Sequence, residues 1–320
     1  MADYPRYLKS YKDSSLKQKI EKTYKLLEDC QICPRKCKVN RIKNEKGFCK
    51  TGINPIICSF MSHYGEEPPI SGKRGSGTIF FSSCNLRCQY CQNYSFSQEG
   101  EGEEVSIEKL SNFMLYLQQL DCHNINLVTP THVMPQILKA LYVSIEKGLK
   151  IPIVYNTSGY ELAEIIQLLD NIIDIYLVDM RYSDSQHSEK YSQASDYPYF
   201  NREAVKEMHR QVGDAEIDNS GIMKNGLIVR HLVLPNNISG TDKIMQFLSK
   251  DVSKNTYISL MSQYSPYYNA HDYPEISRRL TKEEYQKAVD CLSKYGLENG
   301  WTQDSNGLER FAGVNIKRNI

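Results

Sequence analysis

Short apolar, β-branched runs alternate with longer amphipathic stretches along most of this chain. The runs are TIFFS (78–82), NINLVT (124–129), IPIVYN (151–156), IDIYLVD (173–179), LIVRHLVL (227–234) and TYISLMS (256–262). Between them, 106–121, 133–147, 160–170, 201–212 and 240–250 carry apolar residues at helical spacing. Strands alternating with helices at this spacing predict parallel βαβ units of an α/β fold. Six such units make either an incomplete (β/α) barrel or an open doubly wound sheet, and periodicity alone does not separate the two. Ahead of the first run, Leu16, Ile20, Tyr24 and Leu27 predict a helix within 14–29. Residues 281–295 predict a last amphipathic helix, with Thr281 as N-cap and Glu284 completing a capping box. The Gly- and Pro-rich stretch 63–77 reads as a linker, EGEGEE at 99–104 as an acidic loop, and the polar stretch 296–320 as a tail. The chain therefore divides into an N-terminal helix and cysteine-rich, metal-binding element (1–62), the linker, a main domain (78–295) and the tail.

With 320 residues and 40% hydrophobic side chains, the chain can bury a large core. Its 39 Lys and Arg against 38 Asp and Glu argue against a general nucleic-acid binder or a polybasic membrane protein. The mean hydropathy is −0.52, and no apolar run approaches the roughly 20 residues of a membrane span. The first residues contain no apolar signal segment. The expectation is a soluble, cytoplasmic protein. Its charge is uneven, however, with 14 Lys and Arg against 6 Asp and Glu in residues 1–50. A solvated helix face is the plain reading of that excess; an acidic partner such as an electron-donor protein is the other.

Ten cysteines change the picture, because eight of them lie between 30 and 91. Without an export signal they are expected to stay reduced. Clustered reduced thiols point to metal or redox chemistry, since neighbouring thiolates repel one another unless a cation binds them. Cys84, Cys88 and Cys91 form a C-x3-C-x2-C triplet directly after the first strand run, at the strand end where α/β active sites sit. A zinc knuckle with Cys58 or His63 as fourth ligand is one reading. The other is an iron–sulfur cluster with an open position: three cysteines leave one iron of a [4Fe–4S] cube free.

The segment TIFFSSCNLRCQYCQNY (78–94) closely resembles the signature of radical S-adenosylmethionine enzymes. Within that superfamily it is most similar to the branch related to pyruvate formate-lyase activating enzyme, and the likeness runs from about Cys30 to about Leu292. The resemblance implies a partial (β/α)6 TIM-like barrel with an N-terminal helical, cysteine-rich extension. It implies a [4Fe–4S] cluster on Cys84, Cys88 and Cys91 and S-adenosylmethionine as second cofactor, chelated by the open iron. One electron passed into the sulfonium would release a 5′-deoxyadenosyl radical that takes hydrogen from a substrate. It also implies a one-electron donor protein of flavodoxin or ferredoxin type. Further positions match the family. Tyr90 stands where the family places an aromatic near the adenine. Thr129 and Thr131, in Thr129-Pro130-Thr131-His132, stand where many members carry Gly-Gly-Glu, although a helix cap by Thr131 explains the same residue. Asn156 and Ser158 belong to Asn156-Thr157-Ser158-Gly159, against Asp-Thr-Asn-Gly in the activating enzymes. Asp179 and Arg181 resemble their Asp-x-Lys, Arg230 matches a cofactor-side Arg, and Tyr264 falls near a family His. An Arg at position 230, buried in a strand, needs a partner to offset its burial.

Cys30, Cys33, Cys37 and Cys49 put four thiols within twenty residues, which suits a closed zinc site or a second cluster. Some relatives of the activating enzymes carry a similar C-x2-C-P-x2-C segment, which implies a metal without naming it; a structural clamp over the barrel is the expected role. Cys58, Cys122 and Cys291 read as core fillers. His63 and Glu66-Glu67 read as a turn with solvated carboxylates, a substrate acid/base pair being the other reading, and His209 and His231 as packed histidines. Three targets differ in class: a glycine in a partner enzyme, which the resemblance puts first; a peptide side chain or small metabolite; and no reaction at all, in a metal-stabilised binding module.

Overall fold

The computed structural model describes residues 4–303 and the backbone of residues 314–315. Its frame is one sheet. Strands β1 (Ile56–His63), β2 (Ser76–Phe81), β3 (Ile125–Val128), β4 (Ile153–Thr157), β5 (Ile175–Asp179), β6 (Met223–Leu232), β7 (Tyr257–Met261) and β8 (Gly300–Thr302) follow one another across it in chain order. From β2 to β8 each neighbouring pair is parallel, and β1 lies antiparallel on the outer side of β2. The six predicted runs are all strands, and the connection between them is the repeated βαβ crossover of a partial TIM-like barrel. They are legible because strands covered on both faces read as nearly unbroken apolar runs: β3, β4 and the first four residues of β5 are buried throughout.

The helices on the outer face are α1 (Tyr7–Lys12), α2 (Ser15–Lys25), α3 (Ile107–Gln119), α4 (Met134–Glu146), α5 (Ala163–Ile166), α6 (Ser185–Ser192), α7 (Tyr197–Val212), α8 (Thr241–Phe247) and α9 (Lys282–Tyr295). Leu110, Met114 and Leu117 on α3 and Ile137, Leu138 and Leu141 on α4 bury one stripe of each helix in the main core. The capping box of α9 is present: Glu284 N–H donates to Thr281 Oγ1 at 3.2 Å, and Thr281 N–H to Glu284 Oε2 at 2.9 Å.

Two boundaries differ from the sequence reading. Residues 63–77 hold the end of β1, a helical turn at Pro68–Ser71 and the start of β2, so they are a hairpin connection and not a linker. The strand before it lies in the segment assigned to the cysteine-rich element; half-buried and at the sheet margin, β1 lacks the continuous apolar run of the parallel strands. At the other end, Gly300–Thr302 extends the sheet by one more parallel strand beside β7, where the polar composition suggests a tail. The rest of that tail, 304–313 and 316–320, lies outside the described residues. Of the three cysteines read as core fillers, Cys122 is buried while Cys58 and Cys291 are partly exposed.

The N-terminal segment spans the barrel from floor to mouth. At the floor, Arg6 N–H donates to Asp174 Oδ1 at 2.9 Å, Tyr7 OH to the Ile151 carbonyl at 2.9 Å and Ser10 Oγ to the Asn171 carbonyl at 2.8 Å, all just ahead of strands. Tyr11 packs on Tyr142 of α4, with ring centroids 5.1 Å apart. The chain then climbs until Arg41 reaches the His132 carbonyl at 2.7 Å and Arg35 the Asn85 carbonyl at 2.9 Å. The early cysteines thus lie at the strand C-terminal end, beside the triplet loop.

Candidate active site

Register brings the site together. Val128 stands opposite Asn156, and Asp179 opposite Arg230, so the C-terminal ends of β3 to β6 finish at one level. Above them the loop 84–91 closes a cavity of about 220 Å³. Cys84, Cys88 and Cys91 border it together with Tyr90, Thr129, Asn156, Ser158, Asp179, Arg181, Arg230 and Tyr264. Eight of the nine predicted cofactor-side residues therefore share one space with the triplet.

The loop is fixed by its backbone. Gln89 N–H donates to the Tyr191 carbonyl at 2.8 Å, Arg87 N–H to the Ser192 carbonyl at 3.1 Å, and the Asn85 amide to the Tyr160 carbonyl at 2.7 Å. Ser83, immediately before the triplet, takes φ 72°, and Thr129 takes φ 61°. A β-branched residue in the left-handed region is strained, and such strain is held where the surroundings fix it; the Thr129 N–H bonds the Asn156 carbonyl at 2.9 Å.

Each thiol has polar company. Cys84 Sγ accepts from Leu86 N–H at 3.4 Å, Cys88 Sγ from Ser192 Oγ at 3.1 Å and Arg181 at 3.5 Å, and Cys91 Sγ pairs with Ser97 Oγ at 3.1 Å. Burial, aided by the neighbouring Cys88, pushes the Cys84 thiol up to about 12, and burial also raises Cys91. By themselves Cys84 and Cys91 keep their protons; a bound cation is what turns such buried thiols into thiolates. Among the described residues no three His, Cys, Asp or Glu side chains stand close enough to hold a single bare ion. The donor set therefore fits a wider centre, a cluster, better than a lone zinc. Ser158 Oγ and Arg181 Nε are buried without partners at the cavity wall, which leaves polar atoms for a bound molecule.

The strand ends carry a chain of ion pairs. Arg230 Nε donates to Asp179 Oδ1 at 2.9 Å, its other amino group to Asn156 Oδ1 at 2.5 Å, and Arg181 donates to Asp179 Oδ2 at 2.6 Å. Burial works to raise the Asp179 pKa, but Arg230 and Arg181 outweigh it and hold that carboxyl below its ordinary value. The partner that a buried Arg230 requires is thus Asp179. Tyr90 lies edge-on to Tyr264 and Tyr182, at 5.7 and 6.4 Å between centroids, and Tyr264 OH donates to the Ile276 carbonyl at 2.6 Å.

Thr131 is the exception. It does not border the cavity, and it does not cap a helix; its hydroxyl donates to Glu161 Oε1 at 2.6 Å, as does Thr157, with Tyr155 OH at 3.3 Å. The reason is geometric: Thr157 and Tyr155 alternate with Asn156 along β4, so they face the helix layer while Asn156 faces the barrel.

Glu66 and Glu67 are also placed differently. Both are buried, 8% and 3% exposed, below the cavity, where Glu66 Oε2 lies 3.5 Å from Arg230 and Glu66 Oε1 lies 3.7 Å from His63 Nδ1. Burial raises both carboxyls while Arg230 opposes it. Pro68 at the start of the helical turn was the local signal that the chain turns inward here. Of the two histidines read as packed, His231 is buried and bonds the Met180 carbonyl and Thr241, while His209 is partly exposed and pairs with Asp214 at 2.9 Å.

The early cysteines converge as well. Cys30, Cys33, Cys37 and Cys49 border a small void of about 10 Å³ with Arg35, Arg41, Phe48, Asn85 and His132.

A parallel α/β partial barrel with a three-thiol loop over its mouth defines a class: barrel enzymes that hold an iron–sulfur cluster at the strand C-terminal ends. Comparison with known proteins makes the class specific. Residues 78–248 match the model of the Radical SAM superfamily, and the chain belongs to that superfamily, which implies a [4Fe–4S] cluster and S-adenosylmethionine. The chain is 32% identical over 300 residues to the uncharacterized protein MJ0674 of Methanocaldococcus jannaschii, covering 91% of this chain and 82% of that one. Among solved structures it is similar to a radical SAM methyltransferase from Sphaerobacter thermophilus, with TM-score 0.49 and 13% identity over 74% of this chain and 69% of that one. It is similar also to HydG, a maturase of the [FeFe]-hydrogenase, with TM-score 0.46 and 12% identity over 73% of this chain; the match spans 53% of HydG.

Proposed function

We propose that this protein reductively cleaves S-adenosylmethionine in the cavity over Cys84, Cys88 and Cys91 and uses the resulting radical to take hydrogen from a substrate. The observation that carries the reading is the shared cavity: three thiols, Tyr90, and the strand-end groups Asn156, Asp179, Arg181 and Arg230 all border it. When bound, the cluster supplies one electron and an open iron for the cofactor's amino and carboxylate groups. The protein's own part is positioning. Cys84, Cys88 and Cys91 would hold three irons. Ser158 Oγ offers an unused donor, and Arg181 an unused N–H beside Cys88. Tyr90 and Tyr264 wall off the cavity from the Tyr-rich core behind them.

On the target, support divides. A glycine in a partner protein rests on the likeness to activating enzymes. A peptide side chain or small metabolite is favoured by the Thr129-Pro130-Thr131-His132 and Asn156-Thr157-Ser158-Gly159 departures and by the buried Glu66–Glu67 pair, which adds carboxylates behind Arg230 at the cavity wall. We take the second as the better reading. The electron would come from an acidic one-electron carrier meeting the basic N-terminal surface.

The test is anaerobic: reconstitute the cluster, reduce it with S-adenosylmethionine present, and measure 5′-deoxyadenosine. The wild-type chain is expected to form it and Cys84→Ala to lose it entirely. An iron-loaded protein that binds no S-adenosylmethionine and releases no 5′-deoxyadenosine would return the chain to the binding-module reading. A glycyl radical signal on an added partner enzyme would restore the activase reading.

A further inference from the structure

The second thiol group is the densest chemistry outside the cavity just described. Cys30, Cys33, Cys37 and Cys49 come from two loops and close on one void. Phe48 N–H donates to Cys37 Sγ at 3.4 Å, and Gly47 lies so close that a Cβ there would stand 2.8 Å from the same sulfur. Arg41 is 1% exposed; its guanidinium bonds the carbonyls of Gly52, at 3.1 and 3.0 Å, and of His132, at 2.7 Å, and stands 4.0 Å from Cys30 Sγ. Among the described residues no carboxylate pairs with it. A buried cation without a counter-anion is costly; a metal that took the proton from Cys30 would give Arg41 that anion. His132, also 1% exposed, leaves Nδ1 without a partner on the wall of the same void.

Four thiolates suit zinc or an iron–sulfur cluster, and how closely the sulfurs gather separates them. A zinc tetrahedron holds each sulfur about 2.3 Å from the ion, so its ligands must crowd around one point. No three of them are close enough to share a bare ion. The same holds of the triplet, whose superfamily implies a cluster.

We propose that Cys30, Cys33, Cys37 and Cys49 hold a second iron–sulfur cluster, ligated at every corner by protein and so closed to S-adenosylmethionine. It sits one side chain from the first: Arg87 donates to the Cys84 carbonyl at 2.9 Å and to the Phe48 carbonyl, with its guanidinium 4.2 Å from the Phe48 ring.

The experiment measures iron, acid-labile sulfide and zinc in the full chain, prepared without oxygen, alongside a Cys84→Ala/Cys88→Ala/Cys91→Ala variant and a Cys33→Ser/Cys37→Ser variant. The triplet variant is expected to lose about half the iron or somewhat more yet keep sulfide and a cluster signal on reduction. The Cys33/Cys37 variant should keep the triplet's four irons and lose the remainder. If that variant fails to fold, the triplet variant decides by itself, because its iron has nowhere else to lie. Stoichiometric zinc in the triplet variant, or no metal in it at all, would overturn the proposal. Neither result bears on 5′-deoxyadenosine formation by the wild-type chain, so this proposal and the cleavage reading fail separately.

Discussion

Glu161 is fully buried and has three hydroxyl donors but no cation beside it. Burial lifts its pKa to about 7, against the pull of Thr131, Thr157 and Tyr155. The folded protein then keeps a proton that the unfolded chain releases. Stability is full below the unfolded value of about 4.5, falls as pH rises to about 7 and levels off above it, a loss on the order of 3 kcal/mol. Glu161→Gln keeps the acceptor oxygen and removes the titration. Thermal unfolding between pH 4.5 and 8 should show a shallower fall for the variant, the remaining slope coming from Asp174, which burial also raises to about 7. Identical slopes for variant and wild type would show that Glu161 does not titrate in this range.

At the scale of elements, the site depends on how closely the strand ends approach the helices. Gly159 follows β4 with φ 76°, and a Cβ there would stand 2.1 Å from the Asn201 amide on α7 and 2.5 Å from the Asp179 carbonyl. Gly148, at φ 95°, has nothing within 4 Å. Gly148→Ala should therefore cost only backbone strain, about 1 kcal/mol. Gly159→Ala adds a clash that breaks the Asn201 bonds to the Gly159 and Asp179 carbonyls; we expect a loss of at least 2–3 kcal/mol and weaker S-adenosylmethionine binding, measured by unfolding and titration. Equal effects of the two substitutions would contradict this account. The same scale explains what the sequence could show. Doubly covered strands such as Ile175–Asp179 leave an unbroken apolar run, and the cysteine triplet is local, so both were readable. The Glu66–Arg230 pair joins residues far apart in the chain, and carboxylates beside prolines look like any exposed turn. Thr131 occupied a plausible position, but which face of β4 its partners share is decided by tertiary packing. Gly300–Thr302 is too short to leave a pattern.

For the whole molecule, charge is segregated although the total is only +1. Lys36, Lys38, Lys43, Lys46 and Lys50 are all exposed around the early cysteines. Such a patch speeds encounter with an acidic protein and does so less in salt. Cluster reduction by an acidic one-electron carrier is expected to slow several-fold between roughly 0.05 and 0.5 M salt, and reversing three of these lysines to Glu should abolish the salt dependence. Reduction by a small neutral reagent should not change in either case; a carrier rate insensitive to salt would place the docking surface elsewhere.

Chain order adds a constraint on how the molecule is made. Cys30 to Cys49 leave the ribosome well before Asn85 and His132, which border the same void, and Tyr160, on whose ring Arg35 lies, exist. During synthesis these thiols wait in the open, available to oxidants and to any passing soft metal, until α4 and the β4 loop arrive. The cluster proposed for them would therefore be complete only once the barrel has closed over it, and cells short of iron or rich in oxygen would then be expected to accumulate a folded barrel with a damaged crown.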